Sequence, residues 1–386
     1  MTTTALRTAL KGMLRLVAAG AVAWGGGSPL CWAADITIVQ VAPLTGVLAS
    51  TGQQMVLGGK IYFDYINATG GIHGAKIKHE VLDDGYKVEE TVRLTKEALY
   101  RPEVIALFGF AGTANVGKLL ADGILDVGGA PLVAPYTGGE VLRSPFNPYI
   151  FHVRAGYADE TEHIVKQVAT LGMSRIAVMY QNDAFGKAGL AGVEAAVAKR
   201  KMKLVVAAPY ERNTDEVGDA VRQIKDSDAQ AVIMISVNRS TAAFASQYRD
   251  AGGGGQLYNI SVVNPDELVK LAGLKAVHGL GISQVVPYPY MANKPVVREY
   301  QKLLAQYGAG QAINYTSFEE FLGAKVLVEG LRRAGPNPTR ARLVKALDSM
   351  GNFDLGGSVV GYSANNRIGS RYVEVTVIGG SGKLMR

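Results

Sequence analysis

Two short stretches of the chain combine small residues with a hydroxyl in a way suited to holding an anion. Ala111-Gly112-Thr113-Ala114-Asn115 follows an apolar run at 104–110, and Tyr136-Thr137-Gly138-Gly139 follows another at 131–135. Small side chains let a ligand approach the backbone, and the threonines can donate hydrogen bonds. A helix beginning at such a loop exposes unpaired N–H groups and a partial positive charge. A carboxylate is the natural guest. Ordinary capping and turn formation would use the same residues, and spacing alone does not separate the two uses. Further along, Arg154 can pair with a ligand carboxylate or form an ion pair within the fold, and Tyr157 and Phe185 offer π surface.

Other chemistry has little support. His73, His79, His152, His163 and His278 show no HExxH spacing, and neither GxSxG nor GxxxxGK[ST] occurs. Asp83 and Asp84 are adjacent on an expected strand, so they point to opposite faces and make a poor acid/base pair. Tyr180 and Tyr258 read as core or wall residues. No catalytic residue, metal or cofactor is expected. The basic tract Lys199-Arg200-Lys201 with Lys203 lacks interleaved aromatics, so no nucleic-acid partner is expected either.

The elements that must position these residues alternate along the chain. Runs at 36–44, 77–82, 104–110, 131–135, 175–180, 204–207, 231–236 and 257–263 read as strands buried on both faces. Helical spacing lies between them, as in Met55, Gly59, Tyr62 and Ile66, and a single helix is expected over 114–126. Strands alternating with helices predict βαβ units and parallel sheets. There are about ten strands, too many for one sheet of usual size, so two α/β lobes are expected. Stretches near 149–157, 281–289 and 359–362 read as passages between lobes, because repeated crossings would make a hinge.

Composition sets the class. The chain has 386 residues, 48% hydrophobic and 19% charged, which excludes a disordered or fibrous protein. Its 47 glycines suit many tight turns, and its one cysteine excludes a disulfide framework. Residues 1–33 carry Arg7, Lys11 and Arg15, no acid, a short apolar run, and small residues before a cleavage point after Ala33. They read as a signal peptide; the apolar run is too short for a membrane anchor. Cleavage would lower the formal charge of +7 by three and remove Cys31, Trp24 and Trp32. A periplasmic location without stable membrane insertion is the expectation.

Several stretches also resemble a known family. These are Ala42-Pro43-Leu44-Thr45-Gly46, Gly52, the segment from Tyr62 to Asn67, and Gly70-Gly71-Ile72-His73-Gly74. They continue with Leu82-Asp83-Asp84, Phe108-Gly109, Pro135, Tyr180-Gln181-Asn182-Asp183-Ala184-Phe185-Gly186, and Leu327-Val328-Glu329-Gly330-Leu331 with Gly335. In order and separation they resemble the type 1 periplasmic binding proteins of the leucine/isoleucine/valine-binding class. The resemblance implies two doubly wound parallel-sheet lobes joined by a three-stranded hinge. It puts 34–152 and 287–358 in the first lobe, and 153–286 and 359–386 in the second. It implies delivery of a small ligand to an ABC permease with its cytoplasmic ATPase.

Position by position, the resemblance implies a carboxylate-binding hydroxyl at Thr113, a backbone-binding loop at Tyr136, Thr137 and Gly138, and an aromatic lid at Phe185. Ligand contacts fall near Ser50 or Thr51, and Val237 and Asn238 form another wall. One position departs. Where amino-acid binders of this class present an acid to the ligand ammonium, this chain has Ser261. A buried ammonium without a carboxylate is costly, so a carboxylate lacking the amine is expected. Asp266 or Glu267 would restore the acid if the correspondence shifts by a few residues, and a branched-chain amino acid is then the alternative. A sensory module for a signalling partner is another.

Overall fold

The computed structural model describes residues 34–386, and the expected signal peptide lies outside the described residues. The strand Ile36–Ala42 (β1) is buried along its whole length, so both of its faces must be covered. Its neighbours are Ile77–Asp83 (β2), Val104–Phe108 (β3), Leu132–Val133 (β4) and Ile150–Phe151 (β5). They form a parallel five-stranded sheet in the order β2-β1-β3-β4-β5. The helices Ala49–Ala68 (α1), Val88–Leu99 (α2), Thr113–Ala121 (α3) and Ile124–Gly128 (α4) alternate with these strands. The period of two along β1 divides the core: Ile36 and Ile38 pack with Ile61 and Phe63 of α1, and Val39 and Val41 with Leu94 of α2 and Leu119 of α3.

A second sheet repeats the plan. Its strands are Arg175–Gln181 (β6), Lys203–Tyr210 (β7), Ala231–Ile235 (β8), Gln256–Asn259 (β9) and Gly281–Gln284 (β10). After a separate hairpin of Gly351–Asp354 (β11) and Val359–Tyr362 (β12) come Glu374–Ile378 (β13) and Leu384–Met385 (β14). The order is β14-β13-β10-β9-β8-β6-β7, parallel except for β13 and β14. Tyr157–Thr170 (α5) and Ala184–Lys199 (α6) cover one face, where Ile176 and Val178 meet Ile164 and Val193. Gly218–Lys225 (α7) and Asn238–Asp250 (α8) cover the other, where Ala177 and Met179 meet Ile224 and Phe244. Pro265–Ala272 (α9) and Leu274–Val277 (α10) complete this lobe.

The chain then returns to the first sheet through Pro295–Tyr307 (α11), Tyr315–Ala334 (α12) and Arg340–Asp348 (α13). It passes between the sheets three times: after β5, after β10 and before β13. The outer two passages touch, since His152 N donates to Arg367 O (2.9 Å) and Gly369 N to His152 O (2.8 Å).

Three expectations are corrected. The helix expected over 114–126 is two helices, because Gly123 adopts φ +64° and ends the first. Gly281–Gln284 is a buried interior strand paired on both sides, so the second passage starts only after Gln284; Pro287 restricts the residues beyond it. Val359–Tyr362 pairs with β11 rather than crossing, and the third passage follows it.

Close approach of α1 and α12 depends on a missing side chain. A Cβ on Gly58 would lie 2.2 Å from Ser317 O, which only backbone movement could relieve. Gly58→Ala should therefore destabilise the fold by about 1–3 kcal/mol, read as a lower Tm. Gly254→Ala, with no heavy atom within 4 Å of its new methyl, should leave Tm unchanged.

Candidate ligand-binding cleft

The carboxyl ends of both parallel sheets open onto one narrow cleft with about 20 Å³ of free space. Its lining shows a rule: each residue stands just beyond the end of a different strand. Leu48, Tyr86, Gly112 and Tyr136 follow β1 to β4; Tyr157 and Phe185 follow β5 and β6; Val237 and Val262 follow β8 and β9. The walls are aromatic and aliphatic, with Tyr157 and Phe185 meeting edge-on at 5.4 Å between ring centres.

Polar character comes from the backbone. Leu48, Gly112 and Val237 are the residues from which α1, α3 and α8 start, and Tyr157 is the first residue of α5. No side chain caps α1, α3 or α8, whereas at α5 Gly156 N donates to Asp159 Oδ2 (3.2 Å), Tyr157 N to Gly138 O (2.8 Å) and Ala158 N to Glu140 Oε1 (3.3 Å). The leading N–H groups of α1, α3 and α8 and the positive ends of these dipoles therefore meet at the cleft. In α6, by contrast, Asp183 accepts from Phe185 N (2.9 Å) and Gly186 N (3.2 Å).

The threonine loops meet as the spacing suggested. Thr113 Oγ1 and Thr137 Oγ1 are 2.7 Å apart and fully buried, and Tyr157 OH donates to Thr137 Oγ1 at 3.4 Å. Ala111 bridges to Tyr136, which fixes the second loop against the first. Gly138 is required by crowding, because a Cβ there would lie 2.6 Å from the Tyr157 ring. Gly112 combines φ +95° with a similar clash against Tyr86.

Behind the walls lies a buried charge cluster. The Arg154 guanidinium sits 4.9 Å from the Tyr136 ring centre and 6.0 Å from that of Tyr157. Its Nη2 lies 3.3 Å from Glu160 Oε1 and donates to Ser261 Oγ, while Nη1 is 3.5 Å from Glu319 Oε1. Burial alone would lower the Arg154 pKa, but Glu319 and Glu160 more than compensate and hold it above the usual range. Glu160 also accepts from Ser261 N (2.8 Å), Ser261 Oγ (3.0 Å) and Ser283 Oγ (2.6 Å). The carboxylates on Arg154 are thus the protein's own, which is the ion-pair reading of that residue. Burial pushes the Glu319 carboxyl up to about 7 despite Arg154, and Glu320 beside it well above the usual range.

Ser50, Thr51 and Asn238 stand together at the mouth. Asn238 Nδ2 donates to Glu267 Oε2 (2.7 Å) and Thr51 Oγ1 (3.3 Å), and Ser50 Oγ donates to the same Glu267 carboxylate. The bonds made by Thr51 and Ser50 join the two lobes. Ser261 lies behind the wall, where its carbonyl accepts from Tyr136 OH (3.3 Å). Asp83 and Asp84 serve turns: Asp84 accepts from Tyr86 N (2.9 Å) and so aims the Tyr86 wall. Among the described residues no group of three or more His, Cys, Asp or Glu is placed to hold a metal. Sequence reading missed Tyr86, Leu48 and Val262, although their places just beyond strand ends were a usable signal. It also missed Glu160 and Glu319, which only packing brings to Arg154.

Two hinge-linked α/β lobes whose strand ends face one apolar cleft define a class of proteins that bind small molecules by closure. The chain belongs to the periplasmic binding protein family, which it matches over residues 35–383. It is a solute-binding protein of that family and not an enzyme. A substrate-binding periplasmic protein from Ralstonia solanacearum is 37% identical, covering 91% of this chain and 99% of that one with a TM-score of 0.86. An extracellular ligand-binding receptor from Verminephrobacter eiseniae is 30% identical over 91% and 100% of the two chains, with a TM-score of 0.85. The protein named Leu/Ile/Val-binding protein homolog 8 in Brucella abortus (strain 2308) is 24% identical over 358 residues, 86% of each chain.

The buried carboxyl gives a pH dependence. Because the folded-state pKa of Glu319 is about 7 against an ordinary 4.5, the stability of the protonated form is fully present below 4.5 and lost as pH rises through 7. Glu319→Gln should flatten the fall in Tm between those values; an unchanged slope would show that another group titrates.

Proposed function

We propose that this protein is an exported receptor that closes on a small carboxylate lacking an ammonium group and delivers it to an ABC permease with its ATPase. In this reading residues 1–33 are the signal peptide, removed after Ala33. One observation carries the ligand class: three helix N-termini without side-chain caps, those of α1, α3 and α8, meet at a cleft whose lining includes no carboxylate side chain. Such a site offers donors and positive potential to an anion and no lining carboxylate to an ammonium. Thr113 and Thr137 add hydroxyls beside Gly112 and Gly138, and Tyr86, Tyr136, Tyr157 and Phe185 favour a flat or aromatic body. Arg154 contributes from behind the Tyr136 and Tyr157 rings.

A branched-chain amino acid is the second reading, and Glu267 favours it. Its carboxylate stands at the mouth between Ser50 and Asn238, close enough to the expected contacts to receive an ammonium after rearrangement. The name of the Brucella relative points the same way.

Calorimetry of the mature chain against benzoate, short aliphatic acids and leucine separates the two. At about 1,000 times Kd a true ligand should stabilise the fold by about 4 kcal/mol. Heat and a Tm rise with an acid lacking the amine, retained in Glu267→Gln, support the first reading. Binding of leucine alone, lost in Glu267→Gln, would replace it with the second. Thr113→Val should weaken binding by about tenfold in either case, as expected for one lost hydrogen bond to a charged group.

A further inference from the structure

Arg212 stands in the loop after β7, outside the cleft lining, yet it reaches residues that build the cleft from both lobes. Within its own lobe Nη1 donates to Asp183 Oδ2 at 2.6 Å, and Asp183 caps the helix that carries Phe185. Across the mouth, Nη2 donates to Tyr86 O and to Asn115 Oδ1, both at 2.7 Å. The guanidinium carbon also lies 3.8 Å from the centre of the Tyr86 ring. Asn115 is in the first turn of α3, two residues beyond Thr113. Its Nδ2 donates to Thr91 Oγ1 (2.8 Å), which donates to Asp84 Oδ2 (2.5 Å), and Asp84 Oδ1 takes Tyr86 N. One side chain thus closes a circuit through the Tyr86 wall, the α3 N-terminus and the α6 cap.

Separation of the lobes would break the contacts to Tyr86 and Asn115 and leave only Asp183. Those bonds carry a full charge on the donor, and the side chain is only 17% exposed, so water replaces them poorly. Making them together needs a planar fork with several N–H groups, which a lysine ammonium lacks.

We propose that Arg212 is the positioning residue that sets how long the closed cleft persists, holding Tyr86 as a wall and fastening the second lobe to the first without touching the ligand. The proposal rests on closure of the two lobes and is independent of which ligand closes them. It makes retention a property of the interface around the ligand: contacts formed only in the closed state shift the equilibrium toward it.

The described residues contain no cysteine, so paired labels can be placed at will. Glu89→Cys on α2 and Glu194→Cys on α6 are both exposed and report the distance between lobes. Spin-label distance distributions would be recorded with no addition, with leucine and with benzoate, for the Arg212 protein, Arg212→Met and Arg212→Lys. Both substitutions should lower the closed-to-open ratio by about tenfold, Arg212→Lys nearly as much as Arg212→Met. Because Arg212→Lys keeps a cation beside Asp183, its Tm without added solute should stay close to that of the parent. Superposable distributions across the three proteins in all three conditions would overturn the proposal. So would an unchanged ratio accompanied by a fall in Tm, since the role would then be structural. Closure by leucine alone, with the ratio still lowered by both substitutions, would remove the carboxylate reading and leave the latch standing.

Discussion

A full positive charge, that of Arg154, is buried at the first passage between the two sheets, and much of the site's geometry depends on holding it there. An arginine removed from water must be paired within the fold, and removing one partner would leave a charge with no compensation. Its partners come from separated parts of the chain: Glu160 on α5, Glu319 on α12, and Ser261 in the loop after β9. Each lobe and the passage between them are therefore bound to one guanidinium. The same guanidinium supports the Tyr136 and Tyr157 rings from behind, so the position of the cleft wall follows from where the charge is neutralised.

With Arg154 and Glu160 satisfying one another, the cleft is left without an ionised side chain in its lining. Its polarity is then set by backbone. Parallel sheets put the N-termini of the following helices at the carboxyl ends of the strands, and two sheets facing each other double the effect. The result is an apolar box with positive potential, in which position matters more than residue identity: leucine, glycine and valine all stand where a helix begins.

The helix-start loops were legible because their geometry is local. Thr113, Thr137 and Gly138 lie within a few residues of the turns they serve, and the 2.7 Å contact of the two threonines joins loops of neighbouring strands. Ser261 shows the limit. Its type suggested a missing acid, and that inference about charge agrees with the lining, but the residue itself serves Arg154 and Glu160 from behind the wall. Ser50 or Thr51 and Asn238 were read as parts of different walls, whereas their bonds run to Glu267 and to each other across the mouth. The broken helix at Gly123 was missed because its apolar spacing continues through the break, and only the φ of one glycine interrupts it.

Sequence alone determined the two α/β lobes, the repeated passages and the presence of small-residue loops at strand ends. Hydrophobic period, strand length and turn chemistry are encoded within a few neighbouring residues, so they can be read in order. Tertiary structure decided which charges neutralise each other and which residues meet across the lobes. Glu319 lies 165 positions from Arg154 in sequence and 3.5 Å from it in space, and Arg212 meets Tyr86 only because two separately folded sheets face one another. A Coulomb or hydrogen-bond partner is chosen by distance after packing, and nothing in the local sequence of either residue carries that distance.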